Sequence, residues 1–295
     1  MKHYNQMNKI TLILLLIGFS LGFQSCDLNK NKVDNKLISV SILPQKYFIE
    51  RIAGDDFKVN VLIPPGASPA SYEPTPKQMK DMSKSSLYLR IGHIPFEKAW
   101  LNKLFEGNDH IKSLDMSEGI ELLKGPKVQH GDHFHQDGID PHIWSSPKTA
   151  KQLIANTYKV LVQLAPEKTQ EYTTNYMKLM SDINVMDKGA ETIFAQKSKK
   201  AFMIYHPALS YLARDYGLTQ ISIEHDGKAP SPAHMKNIID LAKENNIKTI
   251  FIQKQFNIEN ATVIAKEINA ELVQIDPLSA DWLTEMNRII SYLKN

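Results

Sequence analysis

Cysteine is nearly missing from this chain. Cys26 is the only one in 295 residues, so no intramolecular disulfide can form. A strong charge of either sign is missing too: 35 Lys and Arg stand against 32 Asp and Glu, a formal net charge of +3. That balance gives no reason to assign nucleic acid as a partner. No His-Glu-x-x-His run occurs, which removes the familiar helical motif of metal-dependent peptidases. What is present is ordinary for a folded protein. The hydrophobic share is 42%, and the length suffices for two globular domains.

The N-terminus stands apart from this average. Lys2 and Lys9 precede an uncharged apolar run, Ile10 to Phe23, that closes on Gln24, Ser25 and Cys26. The run is shorter than the roughly 20 residues of a spanning helix, and polar sequence resumes at Asp27. Residues 1–25 therefore read as a cleaved export signal of the lipoprotein type. Cys26 sits where such a signal places its lipidated residue. Removal of 1–25 takes away Lys2 and Lys9 and no acid, lowering the net charge from +3 to +1. Residues 26–36, rich in Asn and Lys, read as a flexible tether.

Beyond the tether, short β-rich runs alternate with helical stretches. Leu37–Leu43, Lys58–Ile63 and Leu87–Ile91 read as strands, with helices over Gln45–Ala53, Pro76–Ser85 and Phe96–Phe105. The rhythm returns with strands at Ala201–Tyr205, Gln220–Ile223, Thr249–Ile252 and Leu272–Ile275. Such alternation predicts an α/β fold: two domains, each a parallel sheet flanked by helices. Between them, apolar residues at helical spacing from Tyr172 to Met186 predict one long rigid backbone helix over 166–197. The N-terminal domain is then 37–165 and the C-terminal domain 198–295.

In open α/β sheets, ligands collect beyond the carboxyl ends of strands. His93, His206 and Asp276 each follow a predicted strand, and His142 arrives from a loop. Imidazole nitrogen and carboxylate oxygen are ligands that zinc accepts in tetrahedral geometry. Taken singly, each histidine reads more simply as a surface or hydrogen-bonded loop residue, and Asp276 before Pro277 as a turn or cap.

Five ordered segments supply the context. They are Pro65–Pro69 with Tyr72–Pro76, Asp140–Pro147, Tyr205–Ala208 running into Tyr211–Ala213, Ile223–Glu224 leading to Gly227–Pro232, and Ile275–Leu278. On these motifs the region 37–295 resembles the zinc- or manganese-binding solute-binding proteins of ABC importers, the cluster 9 or cluster A-I family. The resemblance implies His142, His206 and Asp276 as metal ligands. It also implies zinc over manganese, since the family's zinc proteins carry histidine where His206 stands and its manganese proteins glutamate.

One departure is plain: the family places a histidine directly after Ser68-Pro69, and this chain has Ala70. Its methyl group ligates nothing. His93, Glu73, Tyr72 and water are the candidate replacements. His93 is the first choice because it follows a neighbouring strand and keeps imidazole chemistry, giving His93, His142, His206 and Asp276. Glu73 belongs to a Tyr-Glu-Pro-Thr-Pro turn, where a role at a helix start is the simpler reading. A second cluster, His130, His133 and His135 with Asp132 and Asp137, lacks apolar periodicity and reads as a mobile loop, either an auxiliary metal-capture segment or a solvated one. His110 and His225 have no assigned role.

What the resemblance implies is a monomeric zinc-binding protein, not an enzyme, anchored to a membrane through Cys26 on the periplasmic side. It would deliver Zn(II) to an ABC permease and its ATPase. A manganese importer subunit, a metal-dependent adhesin and, least of all, a zinc hydrolase are the alternatives.

Overall fold

A parallel strand buried on both faces reads as a near-continuous apolar run, and Leu37, Ile38 and Val40 supply it within β1 (Asp34–Val40), where Ile38 and Val40 are wholly buried and the one polar member, Ser39, shares a hydroxyl hydrogen bond with Ser85 at 2.7 Å. β1 pairs on one side with β2 (Lys58–Val61) and on the other with β3 (Ser85–Arg90), which continues to β4 (Lys112–Asp115). All pairings are parallel, in the order β2-β1-β3-β4. The computed structural model describes residues 34–294 except 126, 131–132, 137, 197–199 and 225–227, with the backbone alone for 127–130 and 133–136. The export signal, Cys26, most of the tether, Asp132, Asp137 and His225 therefore lie outside the described residues. The tether boundary moves, because β1 already begins at Asp34. Its first residue donates backbone N–H to the Lys84 carbonyl at 2.8 Å, so main-chain pairing with the start of β3 outweighs the polar composition.

The second sheet repeats the first. β7 (Ala201–Ile204), β8 (Thr219–Ser222), β9 (Thr249–Gln253) and β10 (Glu271–Ile275) are parallel in the order β10-β9-β7-β8. Read from the other edge, this is the order of the first sheet. Each half therefore reverses its winding between the first and third of its strands. These switch points, β1/β3 and β7/β9, are where loops splay and leave room for a ligand.

Helices cover both sheets: α1 (Leu43–Ala53), α2 (Pro76–Met82), α3 (Pro95–Phe105), α4 (Pro147–Leu164), α5 (Thr169–Ala195), α6 (Ser210–Tyr216), α7 (Pro232–Glu244), α8 (Glu259–Ile268) and α9 (Trp282–Tyr292). Three of them start on a hydroxyl followed by proline. Thr75, Ser146 and Ser231 accept an N–H of the first turn, while Pro76, Pro147 and Pro232 fill a position whose own N–H would be unpaired. The linking segment is a helical hairpin: α4, a short 3-10 turn at Pro166–Lys168, then α5. At about 1.5 Å per residue the 27 residues of α5 reach about 40 Å. Tyr172, Leu179, Ile183, Met186, Ala190 and Phe194 make one buried stripe along it.

β4, the separate helix α4 and the C-terminal α9 are absent from the sequence-based assignment. Lys112–Asp115 is four residues with no apolar run to mark a strand. α9 crosses back to the first half. Trp282 is buried there against Phe48 of α1, ring centroids 5.1 Å apart, and one apolar core runs through α1, α4, α5 and α9. The segment expected to be a loop around His130 has the backbone of a hairpin, β5 (Lys127–His130) antiparallel to β6 (His133–Gln136), with His130 opposite His133. Main-chain pairing closed by the Lys124–Ile139 bridge makes this ribbon without any apolar alternation. Among the described residues, no helix is long and apolar enough to cross a membrane.

Candidate metal site

The hairpin neck delivers the chain to Asp140, whose N–H reaches the Leu123 carbonyl at 2.9 Å. Two residues on, His142 donates its backbone N–H to Asp140 Oδ1 at 3.0 Å and sets its ring Nδ1 2.8 Å from the same oxygen. Burial opposes the ionised form of Asp140, but the adjoining His142, with its ring and backbone N–H donors, outweighs it and holds the carboxyl below its ordinary range. Tyr211 donates its hydroxyl to the Asp140 carbonyl at 2.7 Å, tying this loop to α6. The following 3-10 turn, Ile143–Ser145, is locked from the other half. Trp144 Nε1 donates to the Pro277 carbonyl at 3.0 Å, and Trp282 Nε1 donates to the Trp144 carbonyl at 2.8 Å.

His206 stands two residues past β7, at the switch point of the second sheet. Gln253, the last residue of β9, brackets its main chain, accepting the His206 N–H at 3.3 Å and donating to the His206 carbonyl at 2.6 Å. Its ring Nδ1 lies 2.8 Å from Oε1 of Glu224, a carboxylate 7% exposed just beyond β8. Phe256 stacks on the ring at 5.3 Å between centroids.

Both imidazoles are thus oriented by an acid at Nδ1, which favours the Nδ1–H tautomer and leaves Nε2 as a lone pair. The two Nε2 atoms face each other 3.3 Å apart. With Zn–N bonds of about 2.0–2.1 Å, the edge of a tetrahedral zinc site is about 3.3–3.4 Å. The pair is spaced as two vertices of such a tetrahedron.

His93 lines the same cavity as His142 and His206, a space of about 350 Å³ whose walls include Pro69, Ala70, Ile94, Trp144 and Leu278. Burial, with the positive charges of Lys98 and Arg90, holds the His93 ring below the ordinary imidazole range against the pull of Asp115. Its loop is fixed by Gly92 and Glu97. Gly92 has φ +104°, and a Cβ there would lie 2.8 Å from an Asp115 carboxylate oxygen. The buried Glu97 accepts the N–H groups of Ile91 at 2.8 Å and Gly92 at 2.7 Å.

Other expected groups lie elsewhere. Asp276 does not line this cavity; it borders a smaller one with Pro64, Pro65 and Gly66. Its Oδ2 pairs with Lys254 Nζ at 3.1 Å, and its Oδ1 accepts the Leu278 N–H at 3.2 Å. Glu73 is exposed, and the Tyr72 hydroxyl is spent on Gln78 at 2.7 Å. His110 bonds the Ser83 carbonyl at 3.0 Å. The backbone of His130, His133 and His135 lies in the hairpin whose neck residues Gly125 and Gly138 line the cavity, and their side chains lie outside the described residues. Among the described residues, no three His, Cys, Asp or Glu side chains are gathered closely enough to hold an ion together. Asp140, Glu224 and Gln253 have no place in the sequence-based site. Asp140 and Glu224 did stand inside the quoted motifs, adjoining His142 and completing the β8 end, but only the tertiary contacts give them a task.

The chain matches the model of the family described as "Zinc-uptake complex component A periplasmic" over residues 38–295. It is similar to the high-affinity zinc uptake system protein ZnuA of Bacillus subtilis (strain 168), 27% identical, with 89% of this chain and 85% of that protein covered. It is also similar to the zinc-binding lipoprotein AdcA of Streptococcus pneumoniae serotype 4, 28% identical over 95% of this chain, and spans 56% of AdcA's length. A solved structure of a zinc-bound ZnuA deletion mutant superposes with a TM-score of 0.80 at 36% identity, covering 89% of this chain and 98% of that one. The laminin-binding protein Lmb of Streptococcus agalactiae, described as bifunctional in adhesion and metal transport, superposes with a TM-score of 0.76 at 25% identity, covering 88% of this chain and 98% of that one.

Proposed function

The chain belongs to the family of periplasmic zinc-uptake component A proteins, and from that membership we propose that it captures Zn(II) outside the cytoplasmic membrane for import through an ABC permease and its ATPase. It is a solute-binding protein, with zinc as its transported ligand. The observation that carries the metal assignment is the 3.3 Å approach of two imidazole Nε2 atoms, each backed by a carboxylate at Nδ1. Such pairing fixes the ring, raises its basicity and keeps the lone pair toward the ion.

The ligand set we assign is His142, His206, His93 and Asp276. His142 and His206 form the preset edge. His93 faces the same cavity and supplies the nitrogen that Ala70 cannot. Asp276 leaves Lys254 to complete the charge. The long helix α5 (Thr169–Ala195), entered through the turn at Pro166–Lys168, joins an N-terminal domain that opens with β1 and ends at 165 to a C-terminal domain that opens with β7, with zinc held in the cleft where their loops meet. The hairpin bearing His130, His133 and His135 acts as an auxiliary capture segment at the cavity mouth. After cleavage of 1–25, a lipid on Cys26 and the short tether keep the monomer at a membrane.

Titration of chelator-stripped protein with zinc and manganese tests the assignment. We expect one zinc per chain, held more tightly than manganese because imidazole suits zinc and an all-oxygen set suits manganese. A manganese preference, or absence of a tight zinc site, overturns it.

A further inference from the structure

β9 lies between β7 and β10, the strands that lead to His206 and Asp276. Its carboxyl end touches both neighbours. Gln253 brackets the His206 backbone, and the next residue, Lys254, places its ammonium 3.1 Å from Asp276 Oδ2. The main chain of Asp276 is held separately: its N–H donates to Glu285 Oε1 at 2.7 Å, and Glu285 is in turn paired with Arg288 at 2.6 Å. The carboxylate can therefore change partners while its loop stays anchored.

Lys254 differs in kind from Asp140 and Glu224. Those acids bond the ring atom that points away from the ion and so assist binding. Lys254 holds an oxygen that the ion itself would use, and it brings a positive charge to the place where positive charge is delivered. Resting on the assignment of Asp276 as a zinc ligand, we propose that Lys254 is an internal competitor for zinc, neutralising Asp276 before the ion arrives and retaking it as the ion leaves. Its side chain is 57% exposed, so the ammonium swings into water at little cost when displaced. Asp276, 26% exposed, is accessible to either cation. The exchange is one of charge partners and breaks no covalent bond. A pair this solvent-screened is weak, which suits a competitor that zinc must overcome. It lowers affinity modestly and speeds release, the two properties that a carrier handing its cargo onward requires.

Lys254→Met in the full mature chain tests this with zinc alone as the probe, by competition against a fluorescent chelator and by stopped-flow transfer to excess EDTA. We expect affinity to rise about threefold to tenfold, mainly through slower release, with the gain shrinking as salt is raised. Lys254→Arg, which keeps the charge, stays near wild type. In an Asp276→Asn background, Lys254→Met brings no gain, because the contested oxygen charge is gone. Unchanged or weaker binding by Lys254→Met in an otherwise zinc-tight protein overturns the competitor role alone. An equal gain in the Asn background also overturns it, by showing a diffuse charge effect. Absence of zinc binding by the wild type, or an Asp276→Asn change that leaves affinity intact, removes the ligand assignment and this inference with it.

Discussion

Trp144 donates its indole N–H to the carbonyl of Pro277 at 3.0 Å, a direct tie between the turn after His142 and the loop carrying Asp276. Trp144 is 2% exposed, and the bond is made out of water. Trp144→Phe keeps most of the packing but orphans a buried carbonyl, a loss of about 1–3 kcal/mol. Urea unfolding of the metal-free protein should show that loss, and zinc affinity should fall with it. Full stability in the Phe variant would mean that the bond does not join the loops.

Asp140 and Glu224 each hold an Nδ1–H, and the neutral amides Asp140→Asn and Glu224→Gln weaken that grip while preserving shape. Each should reduce zinc affinity about 10- to 100-fold in competition titrations. His142→Ala and His206→Ala, which delete the facing nitrogens, should cost more. An amide variant that binds like wild type would reduce its acid to a bystander.

His93 is the test of how the chain manages with Ala70. His93→Ala should weaken zinc binding by a factor close to that of His142→Ala, and adding Ala70→His should restore part of it. X-ray absorption at the zinc edge counts the imidazoles directly. A spectrum that His93→Ala leaves unaltered would hand the fourth position to water or Glu73.

Glu97 is a pH reporter for the His93 loop. Burial pushes its carboxyl from 4.5 up to about 7, although the Ser41 hydroxyl and the Ile91 and Gly92 N–H groups pull the other way. The folded state therefore holds this proton where the unfolded chain has released it, so stability falls as pH rises from about 4.5 to 7 and levels off above. The swing from this one group is on the order of 3 kcal/mol. Glu97→Gln cannot ionise, so the stability difference between wild type and variant, measured by urea unfolding across this window, should follow that slope. A difference independent of pH would show that Glu97 titrates normally.

Cys26→Ser should shift the protein from the membrane fraction to the soluble one after cell fractionation, since the apolar run before it is too short to span comfortably. Equal membrane retention by both forms would exclude the lipid anchor.

Local pattern alone was enough for much of the architecture. The apolar runs of β1, β3 and β9, the hydroxyl-proline helix starts and the buried stripe of α5 all appear in the chain as written, because strand and helix periods are properties of neighbouring residues. Candidate ligands were legible for the same reason: His206 directly follows a predicted strand, and His142 sits in a recognisable Asp-Pro-His segment. Tertiary structure alone decided how these groups work. It brought Asp140 and Glu224 to the far sides of two imidazoles 64 residues apart and set their Nε2 atoms 3.3 Å from each other. It also gave Asp276 to Lys254 instead of to that pair, and folded α9 back onto the first half through Trp282. These are contacts between residues distant in sequence, selected by sheet order and packing, and no local periodicity encodes them.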